Sequence, residues 1–144
     1  MTLNLQRLET MLVSFIALHS LMLGLAMTLQ PIRTLAFFGW NYKGPMFFPT
    51  QTGVFLGLFG ALFFIFIRYR TLIWFIVVIK ATAVVFLVSQ YYILSQDAPQ
   101  TVFIAGIFDG IMGLSVAIII IWQAMICRKT EKTAERLIFQ DNIV

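Results

Sequence analysis

Residues 71–94 read TLIWFIVVIKATAVVFLVSQYYIL. This stretch is almost wholly apolar and carries one charged side chain, Lys80. An α-helix needs about 20 apolar residues to cross the hydrocarbon core of a bilayer, which is about 30 Å thick. The stretch is long enough to cross, so it predicts a transmembrane helix. Lys80 lies near the middle of that helix, where a charge is costly and marks a polar contact.

Three further stretches have the same character, namely residues 8–29, 52–67 and 101–127. In chain order, the stretch 71–94 is the third of the four. The second, residues 52–67, is short, although Phe47 and Phe48 can extend it. The first stretch could instead be a cleaved signal peptide, with Arg7 ahead of it. Its length, the nearby Glu9 and the lack of a small-residue cleavage site favour a retained helix.

Composition agrees with a membrane protein, since 60% of the residues are hydrophobic, 11% are charged and the mean hydropathy is +0.93. Soluble domains average about half apolar and about one quarter charged residues. The net charge is +4, but the basic residues flank the apolar runs instead of forming a stripe, which argues against nucleic acid as a partner. The single cysteine, Cys127, excludes an internal disulfide and a multi-cysteine metal site.

The positions of lysine and arginine predict the orientation. One side of the predicted membrane carries Arg7, Arg68, Arg70, Arg128, Lys129, Lys132 and Arg136. The other side carries Arg33 and Lys43. Basic residues concentrate on the cytoplasmic side, so we expect both termini inside the cell. The sequence therefore predicts one membrane domain, 1–144: an all-α four-helix bundle, multi-pass in a bacterial inner (plasma) membrane, with residues 128–144 as a cytoplasmic tail.

The first connection, residues 30–50, is too apolar for a solvated loop and too broken by Gly and Pro for a transmembrane helix. Tryptophan and tyrosine favour the headgroup layer, so we expect an aromatic segment lying on the outer leaflet. The alternative is that the segment caps a cavity between the helices. The cap would then consist of Trp40, Tyr42, Phe47, Phe48 and Gln51.

Glycines repeat at small-xxx-small spacing on the second and fourth predicted helices. The residues are Gly53, Gly57 and Gly60 on the second helix and Gly106, Gly110 and Gly113 on the fourth. Such glycines let helix backbones approach closely in a membrane, where the hydrophobic effect between helices is absent. We expect both faces to pack against a helix, either of this chain or of another.

Three titratable residues lie deep inside the predicted helices. His19 lies about 16 Å and Lys80 about 13 Å from the inner ends of their helices, and Asp109 about 12 Å from the outer end of its helix. A tight turn through Asp97 and Pro99 makes the last two helices neighbours, so we predict a Lys80–Asp109 ion pair with His19 within hydrogen-bonding reach. The pair would only set the register of the helices, or would form the polar floor of a ligand-binding or proton-handling cavity. A third alternative is an unpaired Lys80 that snorkels.

Motifs of known enzymes are absent from the sequence: it has no phosphate-binding GxxxxGK loop, no GxSxG elbow and no Cys/His cluster. We therefore predict no catalytic residues and no metal site. The sequence requires no cofactor, and we expect a bound lipid. The single histidine, His19, could supply one axial ligand to a haem or bind the magnesium of a chlorophyll-type pigment. A polar contact with Lys80 or Asp109 is the favoured role.

One resemblance covers nearly the whole chain. A short first helix, an aromatic outer segment, the run 48–53 (FPTQTG) followed by Gly57 and Gly60, and the intramembrane Lys80 and Asp109 together resemble the small bacterial four-helix membrane proteins grouped as DoxX-like. Members of the broader group that bind sterol-like or other hydrophobic molecules place paired acidic residues in the cavity. This chain has a lysine opposite an aspartate, which argues against isomerase chemistry.

Two functions follow from these observations. The favoured one is a non-catalytic accessory or structural subunit that packs against other membrane subunits, such as those of a respiratory or photosynthetic complex, or against copies of itself. The alternative is a binding protein or enzyme for a lipid, sterol-like molecule or quinone. In that case His19, Lys80 and Asp109 would line a cavity beneath residues 40–48.

Overall fold

The computed structural model of the chain describes the backbone of residues 2–94 and 99–141 and the side chains of residues 4–93 and 99–130. The predicted turn through Asp97 and the side chains of Lys132 and Arg136 lie outside these residues. Within the described ranges the chain is all-helical. The helices are α1 (Thr2–Leu29), α2 (Pro31–Phe37), α3 (Phe47–Arg68), α4 (Ile73–Ser89) and α5 (Gln100–Asp141).

Four segments are long and apolar enough to cross a membrane: Asn4–Leu29, Phe47–Arg68, Arg70–Ile93 and Gln100–Thr130. The third of these is α4 with a 3-10 turn before it, Arg70–Leu72, and part of a π-helical turn after it, Gln90–Leu94. The second begins at Phe47, five residues before the predicted start at Thr52. The helix α5 has 42 residues, about 63 Å at 1.5 Å per residue, so it continues well beyond its apolar part.

The first connection contains a short helix, α2, which the sequence did not predict. Gln30 breaks the helical backbone (φ −138°, ψ 59°), and Pro31 follows at the first position of α2, where its missing N–H costs nothing. Gly39, at φ +82°, ends α2 in the left-handed conformation that glycine adopts without strain. The Gly39 N–H donates to Ala36 and the Trp40 N–H to Leu35, which is the Schellman arrangement of a helix end.

The helices α1 and α3 form an antiparallel pair in close backbone contact. A methyl group on Gly60 would lie 2.5 Å from the Leu21 nitrogen, and one on Gly53 would lie 2.6 Å from the Thr28 nitrogen. Gly24 of α1 lies against the backbone of Gly57. Glycine at these positions lets the two backbones meet, because any side chain would have to enter the space of the opposite helix.

The helices α4 and α5 form the second antiparallel pair, in which side chains of α4 lie on the glycines of α5. A methyl group on Gly106 would lie 3.4 Å from the Leu87 side chain, and one on Gly110 would lie 3.5 Å from that of Val84. These are ordinary van der Waals distances. Gly106 and Gly110 of α5 therefore contact side chains of the neighbouring helix, whereas Gly53 and Gly60 of α3 contact a helix backbone.

The two pairs meet around an apolar core in the half of the protein that contains the beginning of α1 and the α3–α4 turn. Its fully buried members include Val13, Ile16, Phe63, Ile76 and Val116. Phenylalanine rings continue the contact from α3 to α4: Phe63 packs against Phe66, and Phe66 packs against Phe75. Towards the opposite ends of the helices, the buried residues are mostly the glycines within each pair. Lys80 and Asp109, described below, lie near the boundary between these two halves.

Candidate intramembrane polar site

Lys80 and Asp109 form an ion pair between α4 and α5. The Lys80 Nζ donates a hydrogen bond to Asp109 Oδ1 at 2.5 Å. The lysine is 4% exposed and the aspartate side chain 18%, so the pair is largely withdrawn from the surface. This contact is the ion pair that the sequence predicts, and each charge offsets the cost of placing the other in an apolar surrounding.

Gly113 makes room for this pair. A methyl group on Gly113 would lie 2.9 Å from the Lys80 Cβ, closer than two carbon atoms normally approach. With glycine there, the lysine stem passes directly over the backbone of α5 and its ammonium group reaches Asp109, one turn further along. The third glycine of the α5 motif therefore positions the ion pair as well as the helices.

His19 lies outside the pair. Its side chain is exposed, and in the part of the chain that the structure describes it makes no hydrogen bond to Lys80 or Asp109. The predicted three-residue cluster therefore reduces to two residues in contact and a histidine within electrostatic range of both charges. The physical reason is rotational: His19 and its buried neighbour Ser20 are 100° apart around α1, and only Ser20 points inward.

Ser20 is a buried polar residue that the sequence analysis did not single out. It is 1% exposed, and its hydroxyl has no hydrogen-bond partner among the described residues. It continues a face of α1 formed by Glu9, Val13 and Ile16, all of them buried. The 4-3-4 spacing of these residues marks an inward helix face and is the signal that would have predicted the orientation of Ser20.

A second polar cluster joins α1, the α3–α4 turn and α5. The carboxylate of Glu9, 4% exposed, pairs with Arg70 at 2.6 Å. The amide nitrogen of Gln123 donates to the same carboxylate oxygen, and Arg70 donates to the amide oxygen at 3.2 Å. The Gln123 nitrogen also lies 3.4 Å from the Leu5 carbonyl. The three side chains form a closed ring of hydrogen bonds.

The sequence analysis treated these three residues separately. Glu9 argued against a signal peptide and Arg70 contributed to the predicted orientation, whereas Gln123 was not singled out. Their common signal is depth, because each lies within about two turns of the same end of an apolar helix. Since Glu9 and Gln123 occupy equivalent positions on antiparallel helices, depth alone could have brought them together.

The aromatic segment attaches to the beginning of α5. The Thr101 hydroxyl donates to the Phe38 carbonyl, and Gly39 lies against Pro99. Tyr42 closes its own loop by donating to the Pro45 carbonyl at 2.9 Å. Thr101 is eight residues from Asp109, or about 12 Å along the helix, so this contact lies about two turns from the ion pair.

The predicted cap residues differ in exposure. Trp40 and Tyr42 are half-buried, whereas Phe47, Phe48 and Gln51 are exposed at the beginning of α3. Phe47 and Phe48 contact each other edge-to-face, with ring centroids 5.5 Å apart. Phe47, Phe48 and Gln51 therefore belong to the first turns of a helix, and the contact with the beginning of α5 is made by Phe38 and Gly39.

The chemistry available at these positions is limited. Among the described residues no group of three or more His, Cys, Asp or Glu side chains is arranged to hold a metal ion. Each of the two described carboxylates, Glu9 and Asp109, is engaged by a basic side chain. The arrangement joins helices through complementary charges, and Ser20 is the one described buried polar side chain without a partner. The chain matches no protein-family model, no curated protein and no solved structure.

Proposed function

We propose that the chain is a non-catalytic integral membrane protein, an accessory or structural subunit that packs against a larger membrane complex. The observation that supports this proposal is that acidic and basic side chains of the chain pair with one another. Lys80 of α4 pairs with Asp109 of α5, and Glu9 of α1 pairs with Arg70 of the α3–α4 turn. Charges used in this way fix which helices are neighbours and in which register, a role for which buried polar groups are best attested.

The distribution of burial supports an external partner on α3 and α4. Within an apolar stretch of 18 residues, 17% of the residues are buried in each of these two segments. The corresponding share is 28% in the segments of α1 and α5. The exposed residues include large aromatic side chains: Phe55, Phe59, Phe64, Trp74, Phe75 and Phe86. Aromatic residues are enriched at protein–protein contacts, so these exposed aromatic side chains of α3 and α4 are our candidates for the contact with a partner subunit.

The proposal includes a four-helix bundle in a bacterial inner membrane. It also places both termini in the cytoplasm, because basic residues concentrate at the ends of the chain and at the α3–α4 turn. A green fluorescent protein fused after Val144 should therefore fluoresce, and alkaline phosphatase at the same position should be inactive. The opposite pattern would reverse the orientation without affecting the packing argument.

The experiment that tests the subunit role is affinity isolation from native membranes in a mild detergent. We expect another membrane protein to be recovered in a fixed ratio to the tagged chain. A Phe75→Ala, Phe86→Ala variant should lose that protein, whereas Phe15→Ala, at an exposed site on α1, should retain it. Recovery of the tagged chain alone would contradict the proposal.

A second candidate function, binding of a lipid-like molecule in the interior, is favoured by one observation. Ser20 is buried with an unpartnered hydroxyl, and its distance of about ten residues from the inner cluster places it near the level of Lys80. Buried polar groups are normally hydrogen-bonded, so an oxygen atom of a bound molecule would complete this one. A defined lipid or quinone in the purified monomer, lost in Ser20→Ala, would favour this function over the first.

A further inference from the structure

A groove of about 320 Å³ lies between the outer end of α1 and the short helix α2. It is lined by Leu23, Ala26, Arg33, Thr34, Phe37 and Phe38. The backbone break at Gln30 redirects the chain, so that α2 forms one wall and α1 the other. This groove is separate from the intramembrane polar site and from the aromatic faces of α3 and α4.

The geometry of the groove is fixed by Thr34. Its hydroxyl is bonded to the Ala26 carbonyl at 3.0 Å and to the Gln30 carbonyl at 2.9 Å. The first bond spans eight residues and ties α2 to the last turn of α1. The two walls are therefore held at a constant separation, so the groove does not have to form when a ligand arrives.

Arg33 places a positive charge at the mouth of the groove. Its guanidinium group is exposed and donates a hydrogen bond to the neutral Gln30 side chain at 3.3 Å. The two acidic side chains that the structure describes, Glu9 and Asp109, are occupied by Arg70 and Lys80. Among the described residues Arg33 therefore has no carboxylate partner and remains able to bind an anion.

The groove also changes in character with depth. Arg33 lies beyond the end of α1 at Leu29, and Leu23 lies six residues before that end, about 9 Å inward along the helix. The groove therefore carries a cationic side chain beyond the end of α1, while its other lining residues are mostly aliphatic and aromatic. A phospholipid has the same sequence of properties from its phosphate to its acyl chain.

We propose that this groove binds one anionic phospholipid of the adjacent leaflet, with the phosphate on Arg33 and an acyl chain along Leu23, Ala26 and Phe37. Guanidinium groups bind phosphate oxygens through two parallel hydrogen bonds, which explains an arginine at the mouth. The volume is at the lower end of the range for ligand sites, sufficient for a headgroup and the first part of one chain. Free phosphate would leave the apolar walls uncovered.

The test is a lipid titration of the purified protein followed by native mass spectrometry. The probes are phosphatidylglycerol and phosphatidylcholine with identical acyl chains. We expect preferential retention of phosphatidylglycerol, and Arg33→Gln should lower that retention about fivefold, the effect of one interfacial arginine. Lys43→Gln, which removes the other basic residue of the same connection, is the matched control and should retain the lipid as the wild type does.

A second variant tests the apolar wall separately from the charge. Ala26→Phe fills the groove from an exposed helix position and leaves Arg33 and the backbone bond to Thr34 in place, so it should also lose phosphatidylglycerol while melting as the wild type does. Excess inorganic phosphate should not displace the lipid. Three results would overturn the proposal: equal retention by Arg33→Gln, equal loss in Lys43→Gln, or displacement by phosphate. None of these results depends on whether a partner subunit is found.

Discussion

The α1–α3 pair and the α4–α5 pair are both antiparallel and both lined by three glycines on one helix, but the glycines face different neighbours. On α3, Gly53 and Gly60 lie against the backbone of α1. On α5, Gly106 and Gly110 lie at ordinary distances from flexible side chains of α4, and only Gly113 is crowded, by Lys80. The first pair is therefore held by close backbone contact, and the second by an ion pair and ordinary side-chain contacts.

The difference shows that the same spacing of glycines can serve two purposes. Close backbone approach requires glycine at each contact, because the opposite backbone cannot move aside. A side chain that rests on a glycine can adopt another rotamer, so an added methyl group is tolerated. The two pairs should therefore respond differently to equivalent substitutions. This difference can be measured as the free energy of unfolding in mixed detergent micelles.

The largest effect is expected at the ion pair. Asp109→Leu leaves Lys80 buried without its partner and should lower the free energy of unfolding by about 3–5 kcal/mol. Asp109→Asn keeps a hydrogen-bond acceptor and should cost less. The double variant Lys80→Leu, Asp109→Leu should recover most of the loss, since no charge remains buried. Equal stability of the Asn and Leu variants would contradict the role assigned to the pair.

The next largest effect is expected in the α1–α3 contact. Gly60→Ala places a methyl group against the Leu21 backbone and should cost about 1–3 kcal/mol, the usual range for overpacking. Gly57→Ala is the control within the same motif, because a methyl group there has no atom within 4 Å. It should be neutral or slightly stabilising, since alanine favours a helix over glycine. A similar loss in both variants would mean that helix propensity, not contact, decides.

The polar cluster of Glu9, Arg70 and Gln123 should contribute less to the free energy of unfolding than the Lys80–Asp109 ion pair. Glu9→Gln removes the charge that Arg70 and Gln123 share but keeps the shape of the side chain. Because Arg70 is about half exposed, water compensates part of the loss, and we expect a decrease of about 1 kcal/mol. The effect should diminish in high salt, which screens an exposed partner. A decrease as large as that of Asp109→Leu would show that the cluster, and not the intramembrane pair, dominates.

The smallest effect is expected on α5. Gly110→Ala adds a methyl group 3.5 Å from Val84 and should change the free energy of unfolding by less than about 0.5 kcal/mol. Gly113→Ala, crowded by the Lys80 stem, should cost more than Gly110→Ala. If the two variants are equally harmless, Gly113 does not position the lysine.

Part of this arrangement could be predicted from sequence. The four apolar segments follow from local hydropathy, and Lys80 and Asp109 had to find partners because an isolated charge is costly at that depth. Their pairing then followed from the short connection between their helices. The start of the second helix was left open between Phe47 and Thr52, because an aromatic residue serves equally well in a helix and at an interface.

Other features depend on which helix faces touch, which no local pattern specifies. Gly24 completes the α1–α3 contact, yet it is a lone glycine whose partner lies on another helix. His19 and Ser20 are adjacent in sequence, and only the rotation of α1 decides that the serine is buried and the histidine exposed. The cluster of Glu9, Arg70 and Gln123 joins residues distant in sequence, and each taken alone has an ordinary interfacial explanation.

Native mass spectrometry of the chain, extracted from its own membrane in mild detergent, tests the accessory-subunit role most directly. The account predicts an assembly heavier than the 16.4 kDa chain that contains a different membrane protein in a fixed ratio. The 16.4 kDa chain alone, copies of this chain alone, or a monomer carrying one defined hydrophobic molecule inside would contradict the accessory-subunit role.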